Sequence, residues 1–287
     1  FAGSVPASML FLTGESVLNP VTAALAGNIS WLDWLVLMGL PALLGGVLMV
    51  LAHLVVFPEP TDFRVELDHL RRELDRLGPL SGREIRTLIW IGGAVLLWIT
   101  DTWHGLHPGW VALAAAAGLS LPWVGEVLGR EDVAQGVDWQ ALLFATGALA
   151  VGTVGLETGL AQWSVAVLVP AAGSLSSVAL LALVAVLGFG LHLFIGSVLA
   201  TLSMVVPAVV TLAVGQGLPP FAPALLIYTT AVMGFALPFH NLMLLVGAGK
   251  AGGFSERETL RFFPVQTVIT FLVVVLEIVW WRVLGRV

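Results

Sequence analysis

Residues 188–216, GFGLHLFIGSVLATLSMVVPAVVTLAVGQ, read as an apolar hairpin whose bend carries Gly196, Ser197, Thr201 and Ser203. Its limbs, roughly 175–195 and 198–215, are each long enough to reach the middle of a bilayer and, if straight, to cross it. A second interruption, Ala236-Leu237-Pro238-Phe239-His240-Asn241, falls inside the apolar run 221–249. Non-helical backbone at membrane depth is tolerated only where protein or water covers it. Two such breaks are what a site for a small solute requires: helix N-termini favour anions and freed carbonyls favour cations. The same glycine and serine residues would also allow close helix packing, and Pro238 a simple kink. The working expectation is that the two breaks face each other.

The composition agrees with a membrane chain. Of 287 residues, 58% are hydrophobic and 10% charged, with a mean hydropathy of +0.99. A soluble domain carries about a quarter of its residues as charges. Cysteine is absent, which removes disulfides and thiolate metal sites. The net charge of −6 comes mostly from short loops, and no basic cluster with interleaved aromatics argues for nucleic acid. The chain begins at Phe1 inside an apolar segment with no basic leader before it, so it reads as the later part of a longer chain or as a truncated gene.

Working outward from the hairpin, the first apolar run (1–27) is interrupted at Gly14-Glu15-Ser16, with Asn19-Pro20 just after, and reads as a broken span. A full span is expected at 33–57, entered through Trp31 and Trp34 at the membrane interface. Residues 61–77 place Phe63, Leu67, Leu70, Leu74 and Leu77 on one face, as in a helix lying along the membrane or a solvated connector. Ser81 with Glu84 predicts a capping box. Spans are expected at 84–101 and 108–122, a shorter apolar element at 139–154, and a last span at 259–283. Three domains follow: 1–57, a linker helix at 58–82, and 83–287 with the hairpin at 175–216 and the broken helix at 221–249. Alternating the spans puts ten of the twelve basic residues on one side, which is cytoplasmic by the positive-inside rule. That count requires the hairpin to be re-entrant.

Glu15 is an acid in a membrane segment and therefore a candidate for holding a cation or a proton. Glu277, in the final span, is expected to be structural, paired with Arg282 or snorkelling outward. Asp101, His104 and His107 have a spacing that could bind metal, but three ligands from one short loop more often have a structural or incidental role. Ser197 with His240 could form the dyad of an intramembrane protease, and His192 is also near in sequence, although no second glycine follows the serine and no oxyanion donor stands out.

Several stretches resemble the divalent anion:sodium symporter family, in particular its citrate/succinate and 2-oxoglutarate/malate carrier branch. They are Ser8-Met9-Leu10-Phe11-Leu12-Thr13 through Asn19-Pro20, Gly78-Pro79-Leu80-Ser81-Gly82-Arg83-Glu84, Trp139 through Leu160, Phe235-Ala236-Leu237-Pro238, and Trp280-Trp281-Arg282-Val283-Leu284-Gly285. The resemblance implies an all-α polytopic membrane protein of two inverted repeats, each with a re-entrant hairpin and a broken helix, working as a homodimer by an elevator motion. Here the first repeat would be partial and the second complete. The family holds its anion at Ser-Asn-Thr motifs on two hairpin tips, with sodium beside them. The second tip falls at Ser197-Val198-Leu199, where only the serine is kept, with Thr201 and Ser203 nearby; the first would lie before Phe1. By the same resemblance Ser197, Thr201, His240, Asn241, Ser16 and Asn19 are expected to bind substrate, and Gly196 and Ser197 to bind the coupling cation; Glu15, near which the family usually has a small residue, is expected to be the coupling acid as an acid within the membrane.

The reading that results is a permease of small anions, di- or tricarboxylates, coupled to sodium or protons and needing no other cofactor. Its expected surroundings are the lipid bilayer, in a bacterial inner membrane. The alternative is a truncated or degenerate module that does not transport.

Overall fold

The computed structural model describes residues 3–15, 17–58, 71–72, 75–136, 143, 146–147, 150, 154, 157–159, 163, 175–237, 240 and 255–287. Every regular element among them is helical, so the protein is an all-α polytopic membrane protein. They fall into two compact units, 1–56 with 140–287, and 57–139. Most of the linker helix and of the element at 139–154 lies outside the described residues.

In the larger unit the first apolar run is broken as read: α1 (Ser4–Met9) and α2 (Leu18–Leu25) are separated by residues 10–17. Pro20 sits in the first turn of α2, where its missing N–H leaves no helical bond unmade. Next comes α3 (Trp31–Val56), with Pro41 inside it. A proline in mid-helix frees the carbonyl four residues back, here that of Leu37. That carbonyl accepts the indole N–H of Trp281 at 3.0 Å, and Trp280 donates to the Val36 carbonyl at 2.7 Å. Trp281 of the last helix thus closes the hydrogen-bond gap that the proline opens, and Trp280 adds a second bond beside it.

Residues 57–139 form the second unit. Ser81 and Glu84 make the predicted capping box at the start of α4 (Gly82–Ile99). After the single turn α5 (Asp101–His104) the chain returns as α6 (Pro108–Ser120), and α7 (Arg130–Gly136) follows. Trp98 donates to the Pro108 carbonyl at 3.1 Å, tying the end of α4 to the start of α6. The loop histidines cap backbone groups: His104 accepts from the Leu106 N–H and His107 from that of Gly109.

The larger unit resumes with α8 (Ser177–Ile195), α9 (Val198–Gly215), α10 (Phe221–Met233) and α11 (Glu256–Val283). Four described helices, α3, α8, α9 and α11, are long and apolar enough to cross a membrane. The shortest has 18 residues, or about 27 Å at 1.5 Å per residue. The segments expected as spans at 84–101 and 108–122 fall short. Arg83, Glu84 and Arg86 occupy the first turns of α4, and α6 has 13 residues.

At the centre of this unit stands α10, whose side chains from Ala222 to Met233 are all buried, against α8, α9 and α11. Close packing needs Gly188: a Cβ there would lie 2.5 Å from Ile227 Cδ1 and 2.8 Å from Thr230 Oγ1. Gly188→Leu is expected to lower stability by about 1–3 kcal/mol through overpacking, read as an earlier thermal unfolding transition in detergent; an unshifted transition would show that the α8–α10 contact is not tight.

Two sequence expectations are corrected here. Trp31 and Trp34 are buried rather than interfacial, because both indoles donate to the α1–α2 break: Trp31 to Thr13 Oγ1 at 3.2 Å and Trp34 to the Met9 carbonyl at 2.9 Å. Glu277 neither snorkels nor pairs with Arg282; it is fully buried and accepts the Thr229 hydroxyl at 2.6 Å.

Candidate functional site

The hairpin turn occupies two residues. The last turn of α8 closes on Gly196, whose N–H reaches the His192 carbonyl at 2.8 Å and whose φ is +71°, a left-handed conformation that glycine adopts without steric cost. Ser197 follows as the N-cap of α9, its hydroxyl accepting the Ala200 N–H at 3.4 Å. Between these residues the chain reverses, so the C-terminus of α8 and the N-terminus of α9 lie side by side.

Two buried side chains support the turn from beneath. The Thr201 hydroxyl donates to the Ser197 carbonyl at 2.9 Å and lies 3.3 Å from His192 Nδ1. A hydroxyl has one proton, so with that proton on the Ser197 carbonyl Thr201 accepts from His192, and the imidazole proton is assigned to Nδ1. The other nitrogen, Nε2, is buried and has no hydrogen-bond partner among the described residues. Ser203, also buried, turns its hydroxyl back to the Leu199 carbonyl at 2.8 Å.

The second break begins earlier than the sequence suggests, because α10 ends at Met233. Gly234 follows, where a Cβ would lie 2.2 Å from the Thr230 carbonyl, so only glycine fits. The carbonyl that Met233 leaves unpaired accepts from the Gln266 amide and the Thr270 hydroxyl of α11, as the loss of a helical bond at membrane depth demands. His240 then folds back over the break. Its Nδ1 accepts the Ala236 and Leu237 N–H groups at 3.1 and 3.0 Å, and its ring also hydrogen-bonds the Leu193 backbone of α8. The His240 and His192 ring centroids are 5.7 Å apart. The two breaks therefore do face each other.

A third break joins them. Glu15, half-buried, accepts the N–H groups of Val17, at 2.8 Å, and of Leu18, and so caps the start of α2. Asn19 is fully buried. Its amide donates to the Ser8 and Phe11 carbonyls at 2.8 and 2.9 Å, and its oxygen accepts the Tyr228 hydroxyl of α10. Leu199, beside the hairpin tip, packs on Val21 with Val17, Leu18 and Leu25 around it. The polar residue expected at 199 is thus replaced by an apolar contact holding the tip against α2.

Of the residues singled out from sequence, Gly196, Ser197, Thr201 and His240 come together, with Glu15 and Asn19 at the neighbouring break; Ser16 and Asn241 lie outside the described residues. Sequence reasoning noted His192 only as lying near Ser197 and missed it as the buried partner of Thr201. Its nine-residue separation from Thr201 across a tight turn was the available signal. As for a dyad, His240 Nδ1 is taken by backbone N–H groups and the ring is bonded to Leu193 besides, which leaves no free nitrogen to serve Ser197 as a base.

The chain is similar in sequence to known proteins. Dicarboxylate transporter 1, chloroplastic, of Arabidopsis thaliana is 28% identical over 244 residues, covering 82% of this chain and 43% of its own length. The Spinacia oleracea protein of the same name is 26% identical over 302 residues, covering 99% of this chain and 51% of its own. A membrane protein of Cupriavidus necator is 26% identical over 268 residues, with 91% and 52% covered. The chain spans about half the length of these curated relatives. The sodium:sulfate symporter transmembrane region matches residues 2–287, and by that match the chain belongs to the divalent anion:sodium symporter family, a family of transporters and not of enzymes.

Proposed function

We propose that this chain carries the second half of the binding site of a secondary transporter for small dicarboxylate anions, driven by sodium or protons. The observation that carries the reading is the meeting of the hairpin tip with the break after α10. At the tip, the first N–H groups of α9 have no helical acceptor, and the aligned peptide dipoles favour an anion there. Ser197 adds a hydroxyl at the same point, only partly buried. The relatives named as dicarboxylate transporters support this choice of anion. In this reading the protein works as a homodimer in a bacterial inner membrane, and Glu15 and Asn19 shape the neighbouring break.

The test is uptake of labelled malate into liposomes holding the protein at the full length its gene encodes. Loss of one hydrogen bond to a charged ligand is worth about 1.5–3 kcal/mol, so Ser197→Ala is expected to raise the half-saturating malate concentration roughly tenfold or more. An unchanged concentration dependence would remove the tip from the site.

A further inference from the structure

We propose that His192 Nε2 is the binding site of a coupling proton, and that the proton and the dicarboxylate bind each other's site into existence. This deepens the function proposed above and rests on it. The geometry starts from the hydroxyl of Thr201, which is assigned as donor to the Ser197 carbonyl and so as acceptor from His192 Nδ1, 3.3 Å away. The imidazole is then the Nδ1–H tautomer, with a bare lone pair on Nε2. That lone pair is buried and has no partner among the described residues, one turn before the tip where α9 begins.

A nitrogen lone pair suits a proton. Hard cations are held by oxygen ligands, and the Thr201 hydroxyl beside this ring is already bonded to the Ser197 carbonyl. The surroundings add little competing charge. The adjoining α9 has no ionisable side chain, α10 contributes Tyr228, which donates to Asn19, and α11 contributes Glu277 at membrane depth, which is turned to Thr229. Glu15 lies before α2 and caps it. The ring beside His192 is His240, and the two N–H groups donated to its Nδ1 place its proton on Nε2.

Coupling follows from desolvation. An imidazolium buried at the tip is costly unless paired, and so is a buried carboxylate. When both are present, the Nε2–H donates to the anion and each removes the other's penalty. The proton comes from water on the side where the site is open and returns to water on the opposite side. One proton moves with one anion, and no other bond changes.

The experiment is malate binding to the purified full-length protein, followed by calorimetry at pH 6–8 in choline buffers of differing ionisation heat. The wild type is expected to take up one proton per malate, with affinity falling by about tenfold per pH unit at the alkaline end. His192→Asn keeps a donor where Nδ1 stands and removes the Nε2 lone pair. It is expected to melt as the wild type does but to bind malate more weakly, without proton uptake and without pH dependence. A merely structural His192 would be rescued by asparagine. Proton uptake retained in His192→Asn, or wild-type binding that requires sodium and takes up no proton, would overturn the proposal. If malate does not bind at all, the dicarboxylate reading falls, and the histidine is judged separately from its imidazole nitrogen shifts in labelled protein. A His192 signal of the Nδ1–H form with a titrating Nε2 supports the site, and an Nε2–H form overturns it.

Discussion

Asn19→Ala is expected to destabilise the larger unit by several kcal/mol, seen as a large fall in the thermal unfolding temperature in detergent. The side chain is fully buried and joins three groups that have lost or never had a helical partner: the Ser8 carbonyl, the Phe11 carbonyl and the Tyr228 hydroxyl. Truncation takes that partner from all three and leaves the Ser8 carbonyl and the Tyr228 hydroxyl unpaired, at about 1–3 kcal/mol for each unsatisfied group, while the Phe11 carbonyl keeps the Gly14 N–H at 2.8 Å. Tyr228→Phe removes a single bond and should cost only about 1 kcal/mol. If Asn19 works through Tyr228, the double variant should cost less than the two single changes added together. An Asn19→Ala protein that unfolds with the wild type would mean that the α1–α2 break is not held by this amide, and would reopen Asn19 as a group facing substrate.

Trp281→Ala carries the other large effect. The indole is fully buried, edge-on to Phe221 at 5.4 Å between ring centroids, and donates to the Leu37 carbonyl that Pro41 leaves open. Removing it creates a cavity between α3, α10 and α11, worth about 3–5 kcal/mol for a tryptophan-to-alanine change. Trp281→Phe separates volume from hydrogen bonding. It keeps most of the ring and leaves the Leu37 carbonyl unpaired, so roughly 1–3 kcal/mol is expected. Replacing Pro41 by alanine restores a backbone N–H to that carbonyl and should shrink the penalty of Trp281→Phe. Equal penalties with and without Pro41 would disconnect the proline from the tryptophan.

Much of the local structure was legible because its causes are local. The two-residue turn at Gly196-Ser197, the capping box at Ser81 and Glu84, and the break before Pro20 each depend on residues within a few positions of one another. Glu277 and Trp31 were misread for the opposite reason. Composition can flag a carboxylate or an indole in an apolar run, but whether it faces lipid, water or another helix depends on partners far along the chain. For Glu277 the partner is Thr229, and for Trp31 it is Thr13. The site shows the same division. Ser197, Thr201 and His240 stood out as polar residues at interruptions of apolar segments, whereas His192 became significant only when its Nδ1 met Thr201 and its Nε2 was left bare.

By itself the sequence determined the class of the protein, the long apolar helices and the interruptions at Gly196-Ser197 and before Pro20, because hydrophobic run length and the chemistry of glycine, proline and serine act over one or two turns. Only the tertiary structure decided what those interruptions do. Helix ends buried at membrane depth must find donors and acceptors elsewhere in the chain. The side chains that supply them, Asn19 at the first break and Gln266, Thr270 and His240 at the second, are assigned by packing that no local pattern records.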